Sequence, residues 1–177
     1  MEKTIAEHIR EIDEKRYLVP SFQREFVWTE SKILKLLHSL LEGRPVGGML
    51  LWSTKNNLEV KNYNIPNESK NDDKIYLLDG QQRLTAIYII LKEKMPYYYN
   101  QEDSKYVKNF RIVIDFKKVL ERKEQTSINI SSDIKYLSFS EKSVDDKYQI
   151  TAKNLLNSNL DFLNNILKNN DIKDIAW

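Results

Sequence analysis

The stretch Ile75 to Tyr88, IYLLDGQQRLTAIY, holds the side chains best suited to anion chemistry. Its apolar start predicts a buried strand that delivers the chain to Asp79. Gly80 then permits a backbone conformation, or a closeness of approach, that a Cβ would forbid. A helix beginning here leaves its first N–H groups, from Gly80 to Arg83, without intrahelical partners. Together with the helix dipole these amides make an anion site. Arg83 lies one turn in and offers a planar fork to a phosphate. Asp79 can hold a metal ion, a water or a ribose hydroxyl. Gln81 or Gln82 can orient an attacking water, as a glutamine does in some nucleotide hydrolases. The plainer alternative is an ordinary Asp-Gly turn with an Asp cap, its Gln and Arg side chains facing solvent.

A second cluster lies upstream, in VPSFQREFVWT (residues 19–29). Val19, Phe22, Phe26, Val27 and Trp28 surround the polar pair Gln23-Arg24. In one reading Arg24 pairs with a carboxylate and the aromatics are core. In the other, Gln23 and Arg24 stand at the rim of the Gly80 site as a second phosphate or base contact. The Gly-rich run Gly43-Arg44-Pro45-Val46-Gly47-Gly48 lacks the Lys-Ser/Thr of a P-loop and the GxGxxG spacing, so it reads mainly as a helix stop and turn. Arg44 is a weaker candidate for a ligand contact.

The elements that must position these residues are legible from periodicity. Thr4 and Glu7 have capping-box spacing ahead of Ile5, Ile9 and Ile12, which predicts a helix over 4–15. Tyr17 to Phe22 is extended, and Pro20 breaks any helix. Thr29 is placed to cap a second helix whose stripe is Ile33, Leu36, Leu37, Leu40 and Leu41, stopped at Gly43. Gly47 to Trp52 reads as a buried strand, and Leu58 to Tyr63 as a weak one in a polar loop. Ile75 to Leu78 is a strand, and residues 81–94 are helical with Leu84, Ile87, Tyr88 and Leu91 on one face. Phe110 to Phe116 and Ile134 to Phe139 are further strands, and Val144 to about Leu167 is helical in two pieces. Tyr97-Tyr98-Tyr99 follows Pro96 in a loop, where exposed aromatics would suit an interface. This order predicts an α+β fold, a small mixed sheet flanked by helices. It divides into a domain over 1–120 and a mixed, largely helical C-terminal extension over 121–177. The last residues, Asn169 to Trp177, carry no stop signal, so we expect the N-terminal piece of a longer protein.

Composition bounds the chemistry. The 177 residues are 41% hydrophobic and 31% charged, a globular balance. There is no cysteine, which excludes disulfides, Cys-ligated zinc and a thiol nucleophile. It also fits a reducing compartment, and we expect a cytoplasmic protein. No apolar run is long enough to span a bilayer, and no signal peptide opens the chain, so no membrane partner is expected. With 28 basic and 26 acidic residues the net charge is +2, not that of a protein holding DNA by bulk electrostatics. His8 and His38 each lie within a predicted helix without a ligand cluster, and we expect surface or packing roles for both.

VPSFQREFVW, PVGGMLLW and YLLDGQQRLTAIY together are far more specific than any one of them. In combination they resemble the N-terminal domain of GmrSD-type, modification-dependent restriction endonucleases and their relatives in phage defence. That family carries a DGQQR motif, here Asp79 to Arg83, and an upstream QR motif, here Gln23-Arg24. The resemblance covers roughly residues 5–120. It implies a ParB/sulfiredoxin-like fold, with nucleotide binding or NTP hydrolysis at DGQQR controlling a nuclease, often a separate C-terminal HNH domain. Sulfiredoxin itself acts through a cysteine, so its sulfinic-acid reductase chemistry is excluded here.

The reading that results is an NTP-binding and NTP-hydrolysing regulatory domain of a restriction or defence endonuclease, with Mg²⁺. Asp79, Gln81, Gln82 and Arg83 are its expected catalytic residues. Gly80, Arg83, Gln23 and Arg24 bind nucleotide, and Asp79 is the metal ligand. Expected partners are the nucleotide, a C-terminal nuclease domain or subunit, and DNA through the full-length protein. One alternative is a DNA-binding module without turnover, in which an aromatic pocket holds a modified base. Another is a phosphodiesterase or nuclease in its own right, which needs several convergent carboxylates or a histidine where Asp79 alone stands out.

Overall fold

A computed structural model describes residues 3–61, 74–99, 107, 110–119, 134–142 and 149–157. The chain begins with α1 (Ile5–Asp13). The capping box forms as the spacing predicts: Glu7 N–H donates to Thr4 Oγ1 at 3.3 Å, and Thr4 N–H to the Glu7 carboxylate at 2.7 Å. A two-residue strand, β1 (Tyr17–Leu18), leads to α2 (Glu30–Leu41) through a turn at Ser21–Phe22, where the expected extended stretch ends because Gln23 N–H bonds back to Pro20 O at 3.0 Å, and then through irregular chain over 23–29. Thr29 precedes α2, although its side chain makes no capping bond. The stop after α2 is a Schellman turn. Gly43 is left-handed at φ +65°, its N–H reaches Leu40 O at 3.1 Å, and Arg44 N–H reaches Ser39 O at 2.9 Å.

Next come β2 (Leu50–Thr54), β3 (Lys74–Asp79) and α3 (Gln81–Lys92). They are followed by β4 (Ile112–Asp115), β5 (Leu137–Phe139), β6 (Gln149–Thr151) and α4 (Ala152–Asn157). The strands form two three-stranded sheets. In the first, ordered β1-β3-β2, β1 runs parallel to β3 and β2 antiparallel, giving the expected mixed sheet. The second, β5-β4-β6, is antiparallel throughout, and it joins β4 to strands from beyond residue 120.

α3 is the centre of the fold. Leu84, Ala86, Ile89 and Ile90 are fully buried, and the helix packs between α2 and α4. It is apolar nearly all round, so it serves as a central rod rather than a half-exposed amphipathic helix. Tyr17, Tyr76, Leu77, Ile12, Ile33 and Leu37 complete the core around it.

Three expectations need correction. β2 is an edge strand and not a buried one, with Leu50 56% and Trp52 39% exposed; its apolar run marks one wetted face. Gln149–Thr151 is strand and not helix, because β-branched Ile150 and Thr151 pair with the free edge of β4. Tyr98 and Tyr99 are buried, so the tyrosine loop is core rather than an exposed interface. Its first member, Tyr97, donates its hydroxyl to Tyr17 O. The weak strand at Leu58 to Tyr63 is reduced to a bridge between Pro20 and Val60, and residues 62 and 63 lie outside the described residues. The helical stretch over 144–148 and 158–167 lies outside them too. Among the described residues, no helix is long and apolar enough to cross a membrane.

Both histidines are buried against tyrosines, with His8 Nδ1 2.7 Å from the Tyr17 hydroxyl and His38 Nδ1 2.7 Å from that of Tyr136. Burial, reinforced by Lys3, pushes the His8 pKa below 6.5. The unfolded chain therefore takes up this proton first. Stability from neutral His8 is complete above about pH 6.5 and is lost as pH falls through the lower folded value. Urea midpoints measured from pH 8 to 5 should drop across that window, and His8→Gln should flatten the drop. Ile89→Ala should cost about 2–5 kcal/mol at any pH, through the cavity it leaves.

Candidate functional site

β3 hands directly into α3 through one residue. Gly80 is left-handed, at φ +86°. A Cβ there would sit 2.7 Å from Met49 Cγ and 3.2 Å from Gly48 O, so glycine is required by both conformation and space. Leu84 N–H closes the first turn on Gly80 O at 2.9 Å, and no side chain caps the helix. The amides of Gln81, Gln82 and Arg83 thus have no partner within α3. A left-handed residue followed by helical ones also turns successive N–H groups into a shallow anion-binding nest.

The two sequence motifs meet here and hold each other. Gln82 Oε1 accepts from Val27 N–H at 3.0 Å, and its Nε2 donates to Glu25 O at 2.9 Å. This clamps the REFVW backbone much as a neighbouring strand would. In return, Gln23 Nε2 donates to Leu78 O at 2.9 Å, at the end of β3. Gln81 is buried and donates to the Tyr99 hydroxyl, which lies 3.4 Å from Arg24 O and can donate to it. Burial, with Tyr98 and Glu25 adding to it, pushes the Tyr99 pKa well up, so the hydroxyl stays neutral at working pH.

The two arginines divide the work. Arg83 donates to Val46 O at 3.2 Å and to Gly48 O at 2.5 Å, and stands 3.7 Å from the exposed Asp79 carboxylate. Gly47, left-handed at φ +85°, makes this possible, because a Cβ there would collide with the guanidinium. Two of the five N–H donors of Arg83 serve the 46–48 backbone, and the others make no hydrogen bond among the described residues. Arg24 is exposed, and its guanidinium has no ion pair or hydrogen bond among the described residues. The core-pairing alternative for Arg24 therefore has no carboxylate behind it here. Its neighbour Glu25 is instead paired with Lys61.

Gln23, Arg24, Trp28, Asp79, Gly80, Gln81, Gln82 and Arg83 line one open hollow of about 270 Å³. Every residue singled out in the two motifs is in this set. Arg44 is not; it pairs with Glu42 at 2.5 Å. Sequence reasoning missed Trp28 as a wall, Tyr99 as a bridge and Gly47 as clearance for Arg83. Each had left a trace without its role: Gly47 in the Gly-rich run, Trp28 in the apolar set around Gln23-Arg24, and Tyr99 in the tyrosine loop. A larger groove of about 680 Å³ lies between α1, α2 and α3, but it is mainly aliphatic. Asp13 and Lys92 on its wall are paired at 2.6 Å.

Asp79 is the one carboxylate in the hollow. Among the described residues, no three His, Cys, Asp or Glu side chains converge as a metal cage. That suits a Mg²⁺ held by one carboxylate together with ligand phosphates, and not a dedicated protein-only site.

Losing the clamp has a measurable cost. Gln82→Leu strands Val27 N–H and Glu25 O and should destabilise the fold by about 1–3 kcal/mol. Gly80→Ala should cost at least about 1–2 kcal/mol from the left-handed backbone alone. Chemical denaturation of the two variants beside the parent checks both values.

The model of the GmrSD restriction endonuclease N-terminal domain matches residues 5–176, well past the segment that carries the motifs. An uncharacterized protein of Methanocaldococcus jannaschii is 33% identical over 95 residues, which is 49% of this chain and 16% of that relative's length. The chain thus spans only a small part of that curated relative. With the family match running over nearly its whole length, the chain belongs to the family of GmrSD restriction endonuclease N-terminal domains.

Proposed function

We propose that the Gly80 hollow binds the phosphates of a nucleoside triphosphate and hydrolyses it, as the regulatory step of a restriction and phage-defence endonuclease. The observation that carries this reading is Arg24. An exposed guanidinium without a partner among the described residues shares a hollow with the free amides of a helix N-terminus. A cation beside a nest of N–H groups is an arrangement for an anion of several oxygens.

Roles follow from the contacts. The Gly80 to Arg83 amides and Arg24 take the phosphate oxygens. Arg83, anchored through Val46 and Gly48, keeps its remaining donors for charge that develops on the transferred phosphoryl group. Asp79, its side chain 76% exposed, carries Mg²⁺ or positions the attacking water. Mg²⁺ when bound would neutralise phosphate charge. Water attack breaks the terminal phosphoanhydride and yields the diphosphate and inorganic phosphate. Gln81 and Gln82 act mainly by holding the pocket walls, since both are buried and bonded to Tyr99 and to the Glu25–Val27 backbone. Nuclease partner and DNA enter through the full-length protein, in keeping with the small net charge of +2.

Phosphate release from each NTP with Mg²⁺ tests the reading. The parent should turn over, while Arg24→Ala and Asp79→Asn should each lose about ten-fold or more with melting temperatures near the parent's. Arg83→Ala should lose both turnover and some stability. Binding to duplex DNA with a steep salt dependence and no effect of nucleotide would replace the proposal by the DNA-binding reading.

A further inference from the structure

We infer that Trp28 is the base-contacting wall of the Gly80 hollow, so that the site takes a nucleotide by base and phosphate together rather than a polyphosphate alone. The inference rests on the nucleotide reading above and names the part of the ligand that the motif residues leave unaddressed. Seven of the eight lining residues are Gly80 or polar side chains, and Trp28 is the one aromatic among them.

Three features suit it to this role. Its backbone is fixed on both sides. On one side Val27 N–H is held by Gln82 at 3.0 Å. On the other, Thr29 O accepts from Lys32 N–H at 3.0 Å and Ile33 N–H at 3.2 Å to open α2. The indole is only partly buried, packing on the core while still lining the hollow. Its Nε1–H has no acceptor among the described residues, so a donor is left for a base or ribose oxygen. A pinned indole that lines a phosphate hollow offers a ready π-face at small entropic cost, and every nucleobase has a π-face to meet it. At about 270 Å³ the hollow is slightly smaller than an ordinary small-molecule site of roughly 300–1,000 Å³, so the rest of the ligand extends into solvent.

Calorimetric titration with inorganic tripolyphosphate and with the β,γ-imido analogues of the four ribonucleoside triphosphates, all with Mg²⁺, tests this. The parent should bind at least one analogue about ten-fold or more tightly than tripolyphosphate. Trp28→Leu should erase that difference while leaving the tripolyphosphate affinity unchanged, and Trp28→Phe should keep most of it. Equal affinity of the parent for all five ligands would overturn the role of Trp28 and leave the phosphate site standing. A Trp28→Leu variant that weakens tripolyphosphate as much as the analogues would reduce Trp28 to a structural part. If Trp28→Leu does not fold, Trp28→Phe decides through its own ratio of analogue to tripolyphosphate affinity, and a ratio of one overturns the inference. Failure of the parent to bind any of the five removes the nucleotide reading itself.

Discussion

Side-chain amides from two distant stretches of chain are spent on each other's backbone, and the site exists because of that exchange. Gln82 holds Glu25 O and Val27 N–H; Gln23 holds Leu78 O. An unpaired backbone group carries a cost even where it is only partly buried, as these are, so the two motifs stabilise one arrangement together. The exchange also fixes where the neighbours fall. Arg24 and Trp28 flank the clamped Glu25–Val27 backbone, while Asp79, Gly80 and Arg83 lie at the β3–α3 junction that Gln23 and Gln82 bracket. Polar residues that look like reagents are here largely the frame in which the reagents stand.

Two glycines set the tolerances of that frame. Gly80 turns the chain from β3 into α3 within one residue while passing close to Met49 and Gly48 O. Gly47 leaves room for the Arg83 guanidinium to dock on Val46 O and Gly48 O. Since α3 is also the buried rod of the domain, the amides of its first turn sit on a helix held by core packing. A rigid nest suits an anionic ligand, because little reorganisation is needed when the charge arrives.

Much of this could be read in the sequence wherever a local signal carried it. Thr4 with Glu7, the Ile33 to Leu41 stripe and Gly43 specify their helices through short-range rules, and α1 and α2 form as that spacing requires. The adjacency of Asp79, Gly80 and Arg83 follows from chain order alone. What depended on partners far along the chain was hidden. Gln149–Thr151 is a strand only because β4 offers an edge. Tyr98 and Tyr99, polar-tipped and loop-borne, are core because Thr85, Gln81 and Arg24 O come close to their hydroxyls. The glutamines looked free because side-chain-to-backbone pairing across 55 residues leaves no periodic trace. The unequal standing of the two arginines was invisible for the same reason, since only the fold shows which of them is anchored to carbonyls.

The proposed function requires an anion to seat on the first amides of α3 beside Arg24. Backbone amide and arginine side-chain NMR during titration with a Mg²⁺–nucleotide addresses it most directly. Saturable shifts are expected at the Gly80, Gln81, Gln82 and Arg83 amides and at the Arg24 guanidinium, with α1 unaffected. Saturable shifts centred on the α1–α2–α3 groove, or none at Gly80 to Arg83 while ligand binds elsewhere, would contradict it.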